Sequence, residues 1–562
     1  MTRITARLLT GFSLSVVGAL CLSAVLVAAG PSPVADAAMK GNRDAIRTLL
    51  KSGEDVNGAQ GDGMTALHWA AVKGDADLAQ MLIYAGANIK ATTRIGAYTP
   101  LYLAAKGGYA TVVATLIAAG ADVKAASANG TTPLMIAAAG GDARTVTTLI
   151  ENGSDVNAKD TAKGETPLMY AAAFDRVEVV KLLLKHGANM KATTNVVDLM
   201  ALTAPEEANM QRQYGEGARP QGPVQVPGAT RQYRYNELIV SQGGLSALQF
   251  AAREGHMESA KVLIESGADV NQVNPGDKST PLITTIINGH FDLAKYMIEK
   301  GANPHLAATN GVTPLFAVVN TYWAPKSLYP NPKGYQQAQT SYLELMKLLL
   351  DKGADPNTRV QRKVWYQTYN SDYSGIDESG ATPFWRAAYA SDVEAMKLLA
   401  SYGADPHIPT MKPVGRPQAG DQFRQFNEVS ALPPVPTGGP AIPPLLAAAG
   451  SGYGEGFAAN SHRYAPTGFL PAIKYLVEEL GADVNAVDHE GNTALHCAAS
   501  RGDTASVLYL VSKGADVSKV NREGKTTADM ANGPVQRVQP FPETLAVLEK
   551  LGAKNSHKCI TC

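Results

Sequence analysis

A short motif with a leading glycine returns along the chain at a nearly constant interval, and this repetition restricts the fold more than any other feature. The motif reads Gly-Ala-Asp/Asn followed by an apolar residue. It occurs, strictly or loosely, at Gly53, Gly86, Gly120, Gly153, Gly187, Gly267, Gly301, Gly353, Gly403, Gly481, Gly514 and Gly552. Successive intervals are 33, 34, 33, 34, 80, 34, 52, 50, 78, 33 and 38 residues. Such a period predicts stacked modules that pack only against their neighbours, and here it predicts twelve of them.

A second motif begins about 12 residues after the marker glycine in the unexpanded modules and predicts a helix start. A threonine, followed by Pro or Ala and then Leu, stands at Thr65, Thr99, Thr132, Thr166, Thr280 and Thr493. Threonine caps helix N-termini, and proline fits the first helical position. Gly74, Gly107, Gly140, Gly255 and Gly502 then predict where this first helix ends. A second amphipathic run, clear in Val179–Leu184, ends at the next marker glycine. Each module should therefore contain two short helices and a polar hairpin finger.

The two motifs together resemble the ankyrin repeat, which has a period of 33 residues and a Thr-Pro-Leu-His signature. The resemblance extends from about Val34 to Ala553, with incomplete first and last modules, as expected for capping repeats. It implies an all-α fold, an α-solenoid with short hairpin fingers and loop insertions, in which the fingers and first helices line a concave binding face. It also implies that His68 and His496, which keep the signature histidine, tie neighbouring fingers by hydrogen bonds.

The longer intervals locate insertions and divide the chain. We expect a signal peptide at 1–29, a capping module and four more ankyrin repeats at 34–194, an insertion at 195–243, further repeats at 244–553 and a Cys-x-x-Cys tail at 554–562. The second repeat region has insertions at 322–340, 359–380, 409–442 and 451–468. Those at 195–243, 359–380 and 409–442 fall at the finger. The other two separate the helices of one module and should lie at the opposite edge.

Residues 1–29 have the features of a secretory signal peptide. Arg3 and Arg7 precede an uncharged apolar stretch, Leu8 to Ala29, which ends in small residues of the kind that signal peptidase reads. An uncleaved anchor is the alternative, because about 20 apolar residues span a bilayer. The Gly and Ser content and the small-residue end favour cleavage after Ala29. We therefore expect a periplasmic or secreted protein with no stable membrane insertion after cleavage.

Charge and motif content restrict the function. Fifty Lys and Arg residues balance fifty Asp and Glu residues, whereas nucleic-acid-binding domains carry a basic excess. Motifs for a nucleophilic serine, a zinc protease, a phosphate loop or a calcium loop are lacking. The sequence therefore predicts a non-enzymatic scaffold without cofactor or metal, a monomer that binds an unidentified partner protein and no nucleic acid.

Fingertips and an aromatic insertion supply the predicted partner contacts. Fingertip residues can vary without harm to the stack, and Trp and Tyr are favoured as interface anchors. The candidates are Arg94, Ile95, Tyr98, Lys159, Lys163, Trp365, Tyr366, Tyr369, His489 and Glu490. The alternative for the aromatic residues between Asn320 and Tyr373 is that their rings pack the loops onto the solenoid.

The C-terminal tail carries a separate signal, the pair Cys559 and Cys562. In an oxidising compartment the two cysteines can form a local disulfide, and a metal site or an intermolecular thiol are the alternatives. A redox or metal-handling protein that uses this pair on an ankyrin chassis is accordingly the alternative function.

Overall fold

A computed structural model describes residues 32–199, 201, 241–324, 334–362, 364, 376–412, 428–452, 463–533 and 539–557. Within these residues, 24 α-helices form twelve consecutive pairs, accompanied by one two-stranded sheet. The predicted all-α repeat solenoid is confirmed. The chain divides into two compact units, Met1–Ala188 and Asn189–Cys562.

The first unit contains five helix pairs. Its helices are α1 (Pro33–Lys40), α2 (Arg43–Lys51), α3 (Ala66–Lys73), α4 (Ala76–Tyr84), α5 (Pro100–Lys106), α6 (Ala110–Ala118), α7 (Pro133–Gly140), α8 (Ala143–Glu151), α9 (Pro167–Ala173) and α10 (Val177–Lys185). The first helix of each pair, here called the inner helix, packs on the inner helices of neighbouring modules. From α4 onward, the second or outer helices pack on one another in the same way.

The second unit contains seven pairs. Its elements are β1 (Val196–Asp198), β2 (Ser241–Gly243), α11 (Ala247–Glu254), α12 (Met257–Glu265), α13 (Pro281–Ile287), α14 (Phe291–Glu299), α15 (Pro314–Tyr322), α16 (Tyr342–Asp351), α17 (Pro383–Tyr389), α18 (Val393–Ser401), α19 (Pro444–Ala448), α20 (Phe469–Lys474), α21 (Ala494–Ser500), α22 (Thr504–Ser512), α23 (Thr527–Ala531) and α24 (Pro542–Lys550). A single π-helical turn, Tyr475–Glu479, extends α20.

The inner helices begin as the sequence predicts. The hydroxyls of Thr65, Thr99, Thr132 and Thr166 each accept a hydrogen bond from the amide three residues further on, which satisfies a backbone donor that the helix leaves unpaired. Alanine pairs such as Ala70–Ala71 are fully buried and let neighbouring helices approach closely.

Two of the predicted helix ends are displaced by one residue. Gly107 has right-handed helical geometry and Gly140 belongs to α7, whereas Gly108 and Gly141 have the positive φ angles of 71° and 92°. A left-handed residue ends a helix because its amide can reach back to the last carbonyls. At both of these helix ends, the second glycine of the Gly-Gly pair takes this conformation.

Asparagines that follow the marker glycine join one module to the next. The Asn57 side chain donates to the carbonyl of Gly86 at 3.2 Å, and Asn271 donates to that of Gly301 at 3.1 Å. The Asn271 side-chain oxygen also accepts from the Asn303 amide at 2.7 Å. These bonds join each such module to the next, so they fix the spacing between neighbouring modules.

Modules keep this geometry where the sequence departs from the motif. Asp175 and Ser391, which stand where other modules have the helix-ending glycine, both have φ of 53°. The π-helical turn Tyr475–Glu479 absorbs one extra residue, because the Ala482 amide bonds to Leu476, six residues back, whereas Ala404 bonds to Leu399, five back.

Two insertions leave the fingers as paired backbone segments, one of them as the two-stranded sheet and the other with the single antiparallel bridge Met411–Pro440. Strand β1 pairs antiparallel with β2, with Val196 opposite Gly243, and so closes the ends of the insertion at 195–243. Residues 410–412 pair with 438–442 in the same way, through Lys412 N to Gly439 O at 2.7 Å and Ala441 N to Thr410 O at 2.8 Å. In the described ranges, we find no helix that combines the length and apolar character needed to cross a bilayer.

Candidate protein-binding face

Three positions of every inner helix share one face. Residues three and four apart in a helix are neighbours on its surface, so the fourth, seventh and eighth residues after the capping residue form one stripe. We call this the inner stripe. The second and fifth residues, such as Leu67 and Ala70, lie on the other side and are fully buried. A module with a full-length inner helix therefore offers up to three side chains to a partner without disturbing its core, and fewer where a glycine stands at the eighth position, as in the modules of α5 and α7.

In the first unit the inner stripe is apolar and open. Its fourth position holds half-buried apolar or aromatic side chains in four modules, namely Trp69, Leu103, Ile136 and Tyr170, and Asp36 in the first module. Exposed apolar side chains at the seventh and eighth positions extend it, namely Met39, Val72 and Phe174. Apolar surface repeated over five modules is typical of an interaction site.

Hydrogen bonds fix the two polar aromatic rings of the stripe against the fingers. Trp69 donates from Nε1 to Oε1 of Gln60 at 2.8 Å, and the Tyr170 hydroxyl donates to Oδ2 of Asp160 at 3.3 Å. Burial raises the pKa of Tyr170 to about 12, so its hydroxyl keeps its proton. The rings thus have fixed orientations and present preformed surfaces to a partner.

A ladder of backbone bonds fixes the fingers to one another. Arg94 N donates to Asp62 O at 2.8 Å, Ala128 N to Gly96 O at 2.9 Å and Thr161 N to Asn129 O at 3.2 Å. Each bond joins the finger of one module to that of the next. Fingertip side chains of neighbouring modules therefore have a set spacing.

The predicted contact residues of the first unit lie on these fingers. Arg94, Lys159 and Lys163 are exposed, and Ile95 is 71% exposed. Tyr98 is half-buried, with its ring stacked on Tyr102 at 4.7 Å between centroids.

At its C-terminal end the inner stripe is basic, because its seventh or eighth position is a lysine in three modules. Lys40, Lys73 and Lys106 occupy the last turn of α1, α3 and α5 and are exposed. Cations are favoured at helix C-termini because the helix dipole is negative there. With Arg94, Lys159 and Lys163 on the fingers, positive charges border the apolar stripe on both sides.

In the second unit the inner stripe is mostly buried. Its fourth position holds six buried residues, namely Phe250, Thr284, Ala317, Arg386, Ala447 and Cys497, and the half-buried Met530 in the last module. Part of the cover is visible near Tyr322, at the end of α15, where Arg463 from the insertion at 451–468 donates to the Tyr322 carbonyl at 2.9 Å. The amide of Ala465 likewise donates to Ala390 O at 2.8 Å. The fourth position is thus half-buried in the first unit and buried in six of the seven modules of the second.

Four of the aromatic residues between Asn320 and Tyr373 pack inward. Tyr322 stacks on Tyr342 at 3.8 Å and lies 4.9 Å from the Trp323 ring and 5.3 Å from the Tyr335 ring. Asp392 accepts from Trp323 Nε1 at 2.7 Å and from the Tyr342 hydroxyl at 2.8 Å. These four rings therefore pack the loop onto the solenoid, as in the second of the two alternatives considered for the aromatic residues.

Of the predicted contacts at the fingertip before α21, the His489 side chain is largely buried and the Glu490 side chain is exposed. The His489 side chain is only 17% exposed, and burial, together with nearby Lys412 and Arg522, lowers its pKa to about 4. The Arg522 side chain donates to the His489 carbonyl at 2.9 Å, and its amide donates to the Glu490 carbonyl at 2.9 Å. Glu490 itself keeps an exposed carboxylate.

The signature histidines tie neighbouring fingers. His68 Nδ1 accepts from the Thr65 amide at 3.1 Å, and its Nε2 lies 3.0 Å from the carbonyl of Tyr98. His496 repeats the arrangement with Thr493 and Lys525. Burial lowers the pKa of both rings, that of His496 to about 4. Both are therefore neutral at pH 7 and structural in role.

Several predicted site residues lie outside the described residues, namely Trp365, Tyr366, Tyr369, Cys559 and Cys562. Cys497, which is described, is buried in α21. Among the described residues, no group of three or more His, Cys, Asp or Glu side chains is placed to hold a metal ion.

The inner stripe of the first unit was not among the residues predicted from sequence. The signal was present in the sequence, since an apolar residue stands four positions after the cap in Trp69, Leu103, Ile136 and Tyr170. Nothing in that pattern distinguishes an open position from a buried one, because core residues of the same helices are equally apolar.

Comparison with known proteins identifies the repeat. One profile for ankyrin repeats (3 copies) matches residues 101–194 and 248–331, and another (many copies) matches 34–83, 67–117 and 462–511. Together these ranges cover more than half of the chain. Oxysterol-binding protein-related protein 1 of Rattus norvegicus is 47% identical over 51 residues, which are 9% of this chain and 5% of that protein. The Mus musculus protein gives the same values. The chain thus spans only a small part of these relatives.

Proposed function

The chain belongs to the ankyrin-repeat family, whose repeats generally mediate protein–protein interaction, and on this premise we propose that it is an exported, non-enzymatic scaffold. It binds a partner protein as a monomer, through the inner stripe and the fingers of its first unit. The observation that carries this proposal is the open apolar stripe of the first unit, bordered by basic side chains, at positions that are mostly buried in the second.

The chemistry of this face fits a protein ligand. Its centre is apolar and rigid, which suits the anchor side chains of an interface, and its charged margins suit a polar rim. The stripe residues Leu103 and Ile136 are half-buried by their own modules. A partner that covers the remainder removes apolar surface from water at little cost in side-chain entropy.

The test uses the mature full-length chain as bait in the extracytoplasmic fraction of its source, followed by affinity measurement with the captured partner. Leu103→Gln combined with Ile136→Gln should weaken binding at least tenfold, because polar groups then face the apolar anchors. Tyr84→Gln is the matched control, since Tyr84 is 82% exposed on the outer helix α4. Equal affinities for all three proteins would exclude the inner stripe as the binding site.

The aromatic insertion stays a predicted contact region in this proposal. Alanine replacements at Trp365, Tyr366 and Tyr369 should lower the affinity for the same partner. Unchanged affinity would show that these three side chains take no part in binding.

Export is supported by the composition of residues 1–29. N-terminal sequencing of the protein purified from its source should begin at Gly30, and an intact Met1 would contradict cleavage. Deleting residues 558–562 should leave partner binding unchanged, whereas a redox or metal-handling protein that depends on Cys559 and Cys562 would lose its activity.

A further inference from the structure

A proline-rich segment crosses two fingertips of the second unit. We call residues 428–442 the proline strap and the fingertips 488–491 and 521–524 the fingertip cradle. The strap comes from the finger insertion that precedes α19, and the cradle belongs to the fingers that precede α21 and α23. The contact therefore spans about ninety residues of sequence, with Arg522 and Glu428 separated by 94 positions.

Arg522 links the two parts through its whole guanidinium group. Nε donates to His489 O in the cradle at 2.9 Å. Nη1 donates to the Glu428 carboxylate at 2.7 Å and to Leu432 O at 3.2 Å, and Nη2 donates to Pro433 O at 2.6 Å. Hydrogen bonds from the Ser430 hydroxyl and from Arg522 hold the pKa of Glu428 below its usual range.

This arrangement suits a proline-rich ligand. Proline has no amide hydrogen, and an extended polyproline-type segment makes no internal hydrogen bonds, so its carbonyls are free to accept. Arginine offers several N–H donors in a rigid fork. Arg522 donates from Nε to the cradle, and from Nη1 and Nη2 to the strap, where the acceptors are the Glu428 carboxylate and two successive carbonyls. At the far end of the strap, Lys412 Nζ donates to Val435 O at 2.7 Å.

Two glycines in equivalent fingertip positions provide room for the strap's apolar side chains. Gly491 and Gly524 have φ of 83° and 77°. A Cβ atom at Gly491 would lie 3.0 Å from Arg522 N in the next fingertip and 3.1 Å from Leu432 Cδ1, and one at Gly524 would lie 3.0 Å from Val429 Cγ2. The half-buried Leu432 and the 55% exposed Val429 therefore rest against two fingertips that are set one module apart.

We propose that the fingertip cradle is a binding site for an extended, proline-rich polypeptide segment that carries an acidic residue ahead of its prolines, and that the strap occupies this site in cis. This site lies in the second unit and is separate from the inner stripe of the first. A partner segment of the same chemistry binds the cradle by displacing the strap. It competes with a strap that is tethered to the cradle in the same chain, and a short tether typically gives a millimolar effective concentration.

The test measures binding of a fluorescent peptide with the sequence of residues 428–437 to the full chain. The cradle of the unmodified protein is filled, so binding should be weak. A strap-weakened protein, with Glu428→Ala, Leu432→Ala and Pro433→Gly, should bind the peptide at least tenfold more tightly. Adding Arg522→Ala should abolish that gain, and Arg522→Lys should reduce it, because lysine keeps the charge and lacks the fork.

Matched controls separate the cradle from general effects. Pro434→Ala with Thr437→Ala changes exposed strap residues and should bind the peptide as weakly as the unmodified protein. A peptide of scrambled sequence should bind none of the proteins. Equal peptide affinity for unmodified and strap-weakened proteins would overturn the proposal, as would a gain that persists with Arg522→Ala. Either result leaves the inner stripe of the first unit untouched, so failure here and failure of the proposed function are distinguishable.

Discussion

One position, three residues after the capping residue, shows how a single side chain serves two modules. Where it is histidine, as in His68 and His496, the ring accepts from the cap and reaches a carbonyl of the next finger. In α11 it is Gln249, which accepts from Ser246 N at 3.1 Å and donates to Ser279 O at 3.2 Å. Glutamine thus makes the same pair of bonds without a group that titrates near neutral pH.

His496→Gln should make the protein less sensitive to acid. Burial lowers the pKa of His496 to about 4, below the roughly 6.5 of an unfolded histidine, so the unfolded state binds more protons between these values. Stability from the neutral ring is complete above pH 6.5 and is lost as the pH falls towards 4, by roughly 3 kcal/mol in all. Thermal unfolding at pH 7, 5.5 and 4 should show a smaller loss for the variant.

The matched control for this prediction is His186→Gln, because His186 is exposed after the end of α10. It should keep the pH dependence of the unmodified protein. A pH profile for His496→Gln identical to that of the unmodified protein would contradict the assigned role of the buried ring.

Asp175→Gly should give a more stable fifth module than Asp175→Ala. Asp175 has φ of 53°, a conformation that costs a non-glycine residue about 1–2 kcal/mol, partly offset by the greater backbone entropy that glycine loses on folding. Both variants lose the carboxylate, so the glycine variant should exceed the alanine variant by about 0.5 kcal/mol in the free energy of unfolding, measured by denaturant titration. The alanine variant keeps a Cβ atom, and a glycine variant less stable than the alanine variant would refute the argument.

At the level of helices, buried side chains join neighbouring modules of the second unit where loops interrupt them. Asp392 caps α18 by accepting from Ala395 N at 3.0 Å and also accepts from Trp323 and Tyr342. Arg386 of α17 donates to Asn320 Oδ1 and to Trp323 O, each at 2.7 Å. Two consecutive modules are thereby held by bonds that the repeat motif does not contain.

Asp392→Asn should cost about 2–3 kcal/mol of unfolding free energy, because an amide presents N–H groups where two buried donors need an acceptor. Asp142→Asn is the matched control. Asp142 caps α8 through Thr145 N at 2.8 Å, and asparagine caps helices equally well, so its replacement should cost a few tenths of a kcal/mol. Equal losses in urea unfolding would mean that Asp392 acts only as a cap.

For the whole molecule, nearest-neighbour contacts should confine the effect of a mutation. In repeat proteins each module contacts only its neighbours, so stability is approximately a sum of module and interface contributions. The asparagine bonds described above are such interface contributions, present in both units.

Asn271→Ala should loosen α11–α14 and leave α1–α10 unchanged. Loss of the side chain breaks the bonds to Gly301 and Asn303, at a cost of about 1–2 kcal/mol. Hydrogen exchange measured by mass spectrometry should show faster exchange in α11–α14. Asn157→Ala, which breaks the bond to Gly187, should instead speed exchange in the first unit and leave α11–α14 unchanged. Faster exchange throughout the chain in either variant would show long-range cooperativity instead.

The predictability of the fold and that of the site differ for a physical reason. Helix starts at Thr65 or Thr132 could be predicted because a cap acts on an amide three residues away. The open inner stripe could not, since Leu103 in the first unit and Ala317 in the second occupy the same register position. Exposure depends on segments distant in sequence.

Local signals in the chain specify the period, the two-helix module and the places where the modules are interrupted, because capping, helical periodicity and glycine conformation all act within about 33 residues. Which surfaces stay exposed depends instead on long-range contacts. Arg463 reaches Tyr322 across 141 residues, and Arg522 reaches Glu428 across 94. Such contacts form because insertions fold back onto the stack. A local sequence pattern does not predict which part of the stack an insertion will contact.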